Sequence, residues 1–192
     1  MRFWAGILVL PRPGSTTDYQ YIADANPYVV SRIGDVYHAG IYAGKVDMTA
    51  NSGLGRVYDR TLIVSDSTSL GNIIATRHAN GRDWWIVKPY RLLEGTYFRW
   101  LYTPVGLERQ ADLRMLPYHH TWQSAFRPDG SAFALATGYG SGSQDLEVHL
   151  MDFDRCSGTF SNERVIDATP WRDQDTVRTG GICFSPSGQY LY

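Results

Sequence analysis

The sequence predicts an all-β protein made of β-propeller blades, about three to four four-stranded antiparallel sheets. Three observations lead there. Aromatic residues make up 14% of the 192 residues against 19% charged, with 19 glycines, a balance that suits short strands and tight turns. Runs of alternating or apolar residues recur between turn signals, while helical periodicity is never sustained. A hairpin unit also returns at fixed distance: Phe126, Pro128 and Gly130 of SAFRPDGSAFAL match Phe184, Pro186 and Gly188 of ICFSPSGQYLY, each 58 residues later.

The elements follow in chain order. Gly6–Leu10 is apolar, and Pro-Arg-Pro-Gly stops it. Tyr19–Ala23 alternates, and Val36–Met48 holds one strand or two. The glycine-rich NSGLG (51–55) turns the chain before Arg60–Val64. Ile73–His78 meets Asn80-Gly81, the strongest short hairpin signal because both positions accept positive φ, and Trp84–Val87 resumes. Tyr97–Thr103 alternates. Leu107–Leu116 is the one stretch that reads as a helical turn or two. Ser124–Arg127, Ala132–Thr137, Leu146–Phe153, Cys156–Phe160 and Val165–Ile166 are further strand signals, and a last hairpin closes the sequence.

In the repeated unit an apolar strand runs into Pro-Asp/Ser-Gly, where proline presets φ and glycine takes a conformation other residues resist. HANGRDWWIV (78–87) carries the same unit with a different turn. Hairpins returning every 50 to 58 residues are the mark of blades that need neighbours to bury their faces. The approximate repeat units are 1–70, 71–120 and 121–178, with a next blade starting at 179–192. A β-sandwich with two similar hairpins is the alternative. The expectation is the N-terminal part of a larger propeller, whose open edge other blades or another chain would cover.

Eighteen Lys and Arg against nineteen Asp and Glu exclude binding of nucleic acid by bulk charge. No apolar stretch approaches the roughly 20 residues of a membrane span, so no membrane insertion is expected. The opening MRFWAGILVLPRPG has too short an apolar core and no small-residue cleavage site for a signal peptide.

At FDRCSGTFSN (153–162) the sequence resembles the FDRCTG-type segment of large exported proteins of Bacteroidetes-type bacteria. ILVLPRPGSTTDYQYI, VDMTANSGLGRV, TRHANGRDWWIV, SAFRPDGSAFAL and GICFSPSGQYLY fit the same pattern. The resemblance implies a WD40-like or lactonase-like propeller, associated with type IX secretion and placed outside the cell or on its outer surface.

Cys156 and Cys183 are the only cysteines, and for an exported protein an even pair is weighed as a disulfide against two separate thiols. A bridge over a loop of this length would stabilise by roughly 3 kcal/mol. His119-His120 point to opposite faces of extended chain and do not share an ion easily; His38, His78 and His149 read as structural. Asp152 and Asp154 form a D-x-D that raises calcium, but without the glycine-punctuated acidic loop such a site needs; Asp154 reads instead as a turn cap. Trp84 and Trp85 face opposite ways, one between blades and one more open, which makes them weak candidates for ligand contact, for example with a sugar ring. No nucleophile elbow or phosphate loop appears.

The expected function is therefore a non-catalytic module for binding, adhesion or scaffolding, with an unknown protein or glycan as partner and no cofactor. Two alternatives stand beside it. One is a metal-dependent lactonase-like hydrolase with its site in the channel, and the other is a protomer of an extracellular assembly.

Overall fold

The computed structural model describes residues 6–25, 28–30, 36–66, 68, 71–89, 96–114, 121–138, 146–168 and 181–192. Among them there is no α-helix; strands and tight turns account for the chain, with one three-residue 3-10 turn at Asn51–Gly53.

Strands β1 (Ile7–Pro11) and β2 (Asp18–Asp24) form the first hairpin. A small separate hairpin, β3 (Tyr28–Val30) with β4 (Val36–His38), interrupts the connection to β5 (Ile41–Asp47) and β6 (Arg56–Val64). The first sheet has the order β1-β2-β5-β6. The second is built from β7 (Ile74–Arg77), β8 (Trp84–Pro89), β9 (Thr96–Tyr102), β10 (Leu107–Arg109) and β11 (Leu113–Arg114). Both β10 and β11 pair with β9, so they act as one outer strand in two pieces. The helical turn expected over 107–116 is therefore not formed where the chain is described: the long edge of β9 captures that segment, and tertiary pairing overrides local propensity. The third sheet, β12 (Thr121–Phe126), β13 (Ala132–Gly138), β14 (Leu146–Asp154) and β15 (Thr159–Asp167), is a simple antiparallel meander. Residues 182–192 then begin another hairpin through the Phe184–Leu191 bridge.

The sheets stack face on face, with their first strands converging. Asn72, just before β7, accepts from the Ser124 backbone N–H at 2.9 Å and donates to the Ser124 carbonyl at 3.0 Å. Gln123 of β12 donates to the Ile182 carbonyl at 3.2 Å. Between the first two sheets Leu10, Ile22, Ile41, Ala43 and Val64 meet Ile86, Phe98 and Trp100. Between the second and third, Val87 and Tyr97 meet Phe133, Leu135 and Met151. Ile182, Phe184 and Leu191 cover Ala134, Ala136 and Val148 on the far side of the third sheet. Side chains alternate along each strand, so every sheet buries one row against the sheet before and the other against the sheet after.

One end of the stack is made of tight turns. Gly81, Gly130 and Gly188 lie at φ of 72°, 74° and 70°, and each donates its N–H to the carbonyl three residues back, at 2.8–2.9 Å. Arg12–Ser15 repeats that bond at 3.0 Å, which adds a first copy the sequence repeat did not show. Asp129 and Asn80 reinforce the turns by accepting backbone N–H groups two and three residues on.

Candidate functional site

The opposite end carries the connections that lead into the next sheet and the insertion holding β3 and β4. There, between the first two sheets, three ionisable side chains meet almost without water. Asp24 ends β2, Lys88 lies in β8 and His38 ends β4; they are 5%, 0% and 2% exposed. The Lys88 ammonium stands 3.0 Å from Asp24 Oδ1, donates to Oδ2 at 3.1 Å, and donates again to the Gly71 carbonyl. Asp24 Oδ2 also accepts the Gly6 N–H at 3.0 Å. His38 is fixed by its backbone, which exchanges bonds of 2.8 and 3.1 Å with Thr68, and by Nδ1, 3.1 Å from the Ala25 carbonyl.

A carbonyl only accepts, so Nδ1 carries the proton and Nε2 is left with a lone pair. Nε2 lies 3.8 Å from Asp24 Oδ2 and has no hydrogen-bond partner among the described residues. Burial holds the His38 pKa below its ordinary 6.5; the nearby Lys88 charge acts the same way, while Asp24 and the Ala25 carbonyl oppose. Burial likewise pushes Lys88 below the usual lysine range, against the pull of Asp24. One carboxylate balances one ammonium, and a second cation there would be uncompensated. The imidazole therefore stays neutral, with one nitrogen able to take a proton. A divalent cation does not fit this set, because the Lys88 ammonium already occupies the charged side of Asp24.

Sequence reasoning missed these residues because they are far apart in the chain and share no motif. The one signal was Lys88 itself, one of two lysines in the chain, inside the apolar run WWIVKP.

The residues singled out from sequence are placed elsewhere. Trp85 is 4% exposed and lies over Gly158 of the third sheet; its Nε1–H donates to the Arg155 carbonyl at 2.8 Å. Trp84 faces the first sheet and donates to the Pro11 carbonyl at 3.2 Å, with the Arg77 guanidinium 3.7 Å above its ring. Both tryptophans thus join sheets, and the more open of the two is already covered by an arginine. Asp154 caps its turn by accepting from the Cys156 N–H at 2.8 Å and the Ser157 hydroxyl at 2.7 Å, while Asp152 accepts from Asn162. Cys156 and Cys183 stand as free, exposed thiols, one in that turn and one in the last hairpin, with no bridge between them. His78 accepts the Asn80 N–H within its turn and reaches the Cys156 carbonyl at 3.2 Å. His149 lies between Glu163, 2.8 Å from Nδ1, and Glu147, 3.3 Å from Nε2. His119 and His120 lie outside the described residues. Among the described residues no three His, Cys, Asp or Glu side chains are grouped to hold a metal. A cleft of about 360 Å³ opens nearer the tight-turn end between the first two sheets, but the charged groups on its walls are engaged: Lys45 with Asp59, Arg109 with Asp112.

A protein from Lactobacillus plantarum matches 93% of this chain over 58% of its own, at 14% identity and a TM-score of 0.50. The fold is a β-propeller. Two solved proteins named "putative 6-phosphogluconolactonase" are also similar. The one from Bacteroides fragilis has 11% identity and a TM-score of 0.49 over 90% of this chain and 59% of that one. The one from Bacteroides uniformis has 14% and 0.49 over 85% and 45%. The chain thus spans about half to three fifths of the propeller proteins it matches. It matches no protein-family model and no curated protein sequence. The expectation of a non-catalytic module is corrected by these neighbours: two propellers similar to this one carry an enzyme's name, and the hydrolase alternative is the one carried forward.

Proposed function

We propose that this propeller is part of a lactonase-like hydrolase acting at the end where His38, Lys88 and Asp24 meet. The carrying observation is the unpaired Nε2 of a neutral, buried imidazole held against a fixed charge pair. In ester hydrolysis such a nitrogen accepts a proton from water as the water oxygen adds to the lactone carbonyl carbon. The ring C–O bond then breaks, and the ring oxygen leaves with that proton to give the open hydroxy acid. Lys88 and Asp24 hold their charges throughout and keep the imidazole unprotonated between turnovers. Because His38 is 2% exposed, substrate reaches Nε2 only when the segment bearing it moves outward.

The test is hydrolysis of a panel of sugar δ-lactones, with and without a phosphate, followed by acid release. Turnover is expected, and His38→Gln should lower kcat/KM by roughly 100-fold or more. Absence of turnover across the panel, or an unchanged His38→Gln enzyme, would discard the proposal. A second reading is favoured by the burial itself: the three residues form a polar joint that registers the first blade on the second. Under it His38→Gln lowers stability and leaves any activity of the folded protein alone. Export by a type IX route, an extracellular location and a protein or glycan partner rest on the shared FDRC and RHANGRDWW segments; secretion of the tagged protein from a bacterium with and without that route tests them.

A further inference from the structure

Within the chain each blade uses its two faces differently. The forward face of one blade covers the backward face of the next, twice over: Leu8, Leu10 and Ile22 on Ala75 and Ile86, then Ile74 and Val87 on Leu135. The paired positions Ala75–Ile86 and Ser124–Leu135 are the centres of the two covered backward faces, and Ile86 and Leu135 are fully buried. The corresponding pair of the first blade is Val9–Tyr21, beside Ile7. It has no such cover: Ile7 is 69% and Val9 53% exposed.

The last hairpin presents the complementary surface. Phe184 and Leu191 point back into the third blade. Cys183 and Tyr192 exchange both backbone bonds at 2.9 Å, so their side chains share the opposite, forward side. They stand 58 residues after Ala125 and Ala134, the forward-face positions that this same hairpin covers in the third blade. Cys183 is exposed, and Tyr190 and Tyr192 are 62% and 73% exposed.

We infer that two copies of this chain associate head to tail, the forward face at Cys183 and Tyr192 of one copy covering Ile7, Val9 and Tyr21 of the other, and that the same contact repeats to close a ring of two. The occupant is a second copy because the chain itself carries the matching half of an interface it already makes internally. A head-to-tail contact gives a closed species only if the rotation returns on itself, and an open series otherwise. The inference stands apart from the hydrolase proposal, since neither face contains His38, Lys88 or Asp24.

The experiment is light scattering coupled to size-exclusion on the 192-residue chain from about 1 to 100 μM. A discrete species of twice 21.6 kDa is expected. Val9→Arg and Tyr192→Arg, both at exposed positions, should each halve that mass while the near-ultraviolet circular dichroism of the folded chain is kept. As a second measurement, the Cys156→Ser/Val9→Cys chain should form a disulfide-linked dimer through Cys183 on oxidation. A single-chain mass throughout, an open series of higher masses, or failure of the Val9→Cys chain to crosslink would overturn the inference.

Discussion

Gly158 is a place where the packing of blades turns into a measurable free energy. It sits at φ +68° in the turn between β14 and β15, and a Cβ added there would lie 2.7–2.8 Å from three ring carbons of Trp85. The indole has no room to retreat, because it is 4% exposed and anchored by its bond to the Arg155 carbonyl. The Arg99 guanidinium, bonded to the Ser157 and Gly158 carbonyls at 3.0 and 2.8 Å, closes the other side. An alanine in left-handed backbone is disfavoured by roughly 1 kcal/mol, and forcing a methyl into a filled contact adds about 1–3 more. Gly158→Ala is thus expected to destabilise by about 3 kcal/mol. With a urea slope of about 2 kcal/mol/M, the unfolding midpoint should fall by roughly 1.5 M, read by tryptophan fluorescence. Gly53→Ala is the control: its φ is +87°, yet nothing lies within 4 Å of the added carbon, so only the backbone contribution of roughly 1 kcal/mol remains. Equal midpoints for the two variants would refute the idea that the Trp85–Gly158 contact joins the second and third blades.

Three further outcomes are expected. Lys88→Met leaves a buried carboxylate without its cation and should cost about 3–5 kcal/mol, whereas Asp24→Asn with Lys88→Met should regain at least half; denaturant midpoints decide it. His38, held neutral below its ordinary 6.5, takes up no proton in the folded state where the unfolded chain does. The unfolded state therefore binds more protons, and stability should fall as pH drops from about 6.5 through the depressed folded value. His38→Gln should show a flatter acid limb between pH 7 and 5, and parallel limbs would contradict this. Finally, titration of the folded, unreduced chain with a thiol reagent should count both Cys156 and Cys183, while a count of zero would restore a bridge.

Much of the blade pattern was legible because its signals are local. Asn80-Gly81 and Asp129-Gly130 specify their own backbone, and any surroundings leave them as turns. The first copy, Arg12–Asp18, escaped because one extra residue lies inside it: Arg12 closes on Asp18 six residues on, whereas Arg127 closes on Ala132 and Ser185 on Tyr190 five on. Residues 107–116 misled for the converse reason, since nothing in LERQADLRML announces that the edge of β9 will claim it. The site was illegible because Asp24, His38 and Lys88 are brought together only by blade-to-blade packing. Their chemistry comes from burial, and burial of a lysine is a property of the assembled faces. Asp154 was read as a turn cap from the same logic that works for hairpins, and its two bonds are of that local kind.

The turn at 155–158 has a consequence for how the chain reaches this fold. Each hairpin closes over a handful of residues and can zip within microseconds of leaving the ribosome. Trp85 and Arg99, by contrast, wait for a clamp roughly sixty to seventy residues downstream, a long-range closure that slows assembly. Until that clamp arrives, the forward flank of the second blade is a sticky aromatic surface. Synthesis therefore alternates between fast local zipping and a pause in which the newest blade is the one most in need of a chaperone.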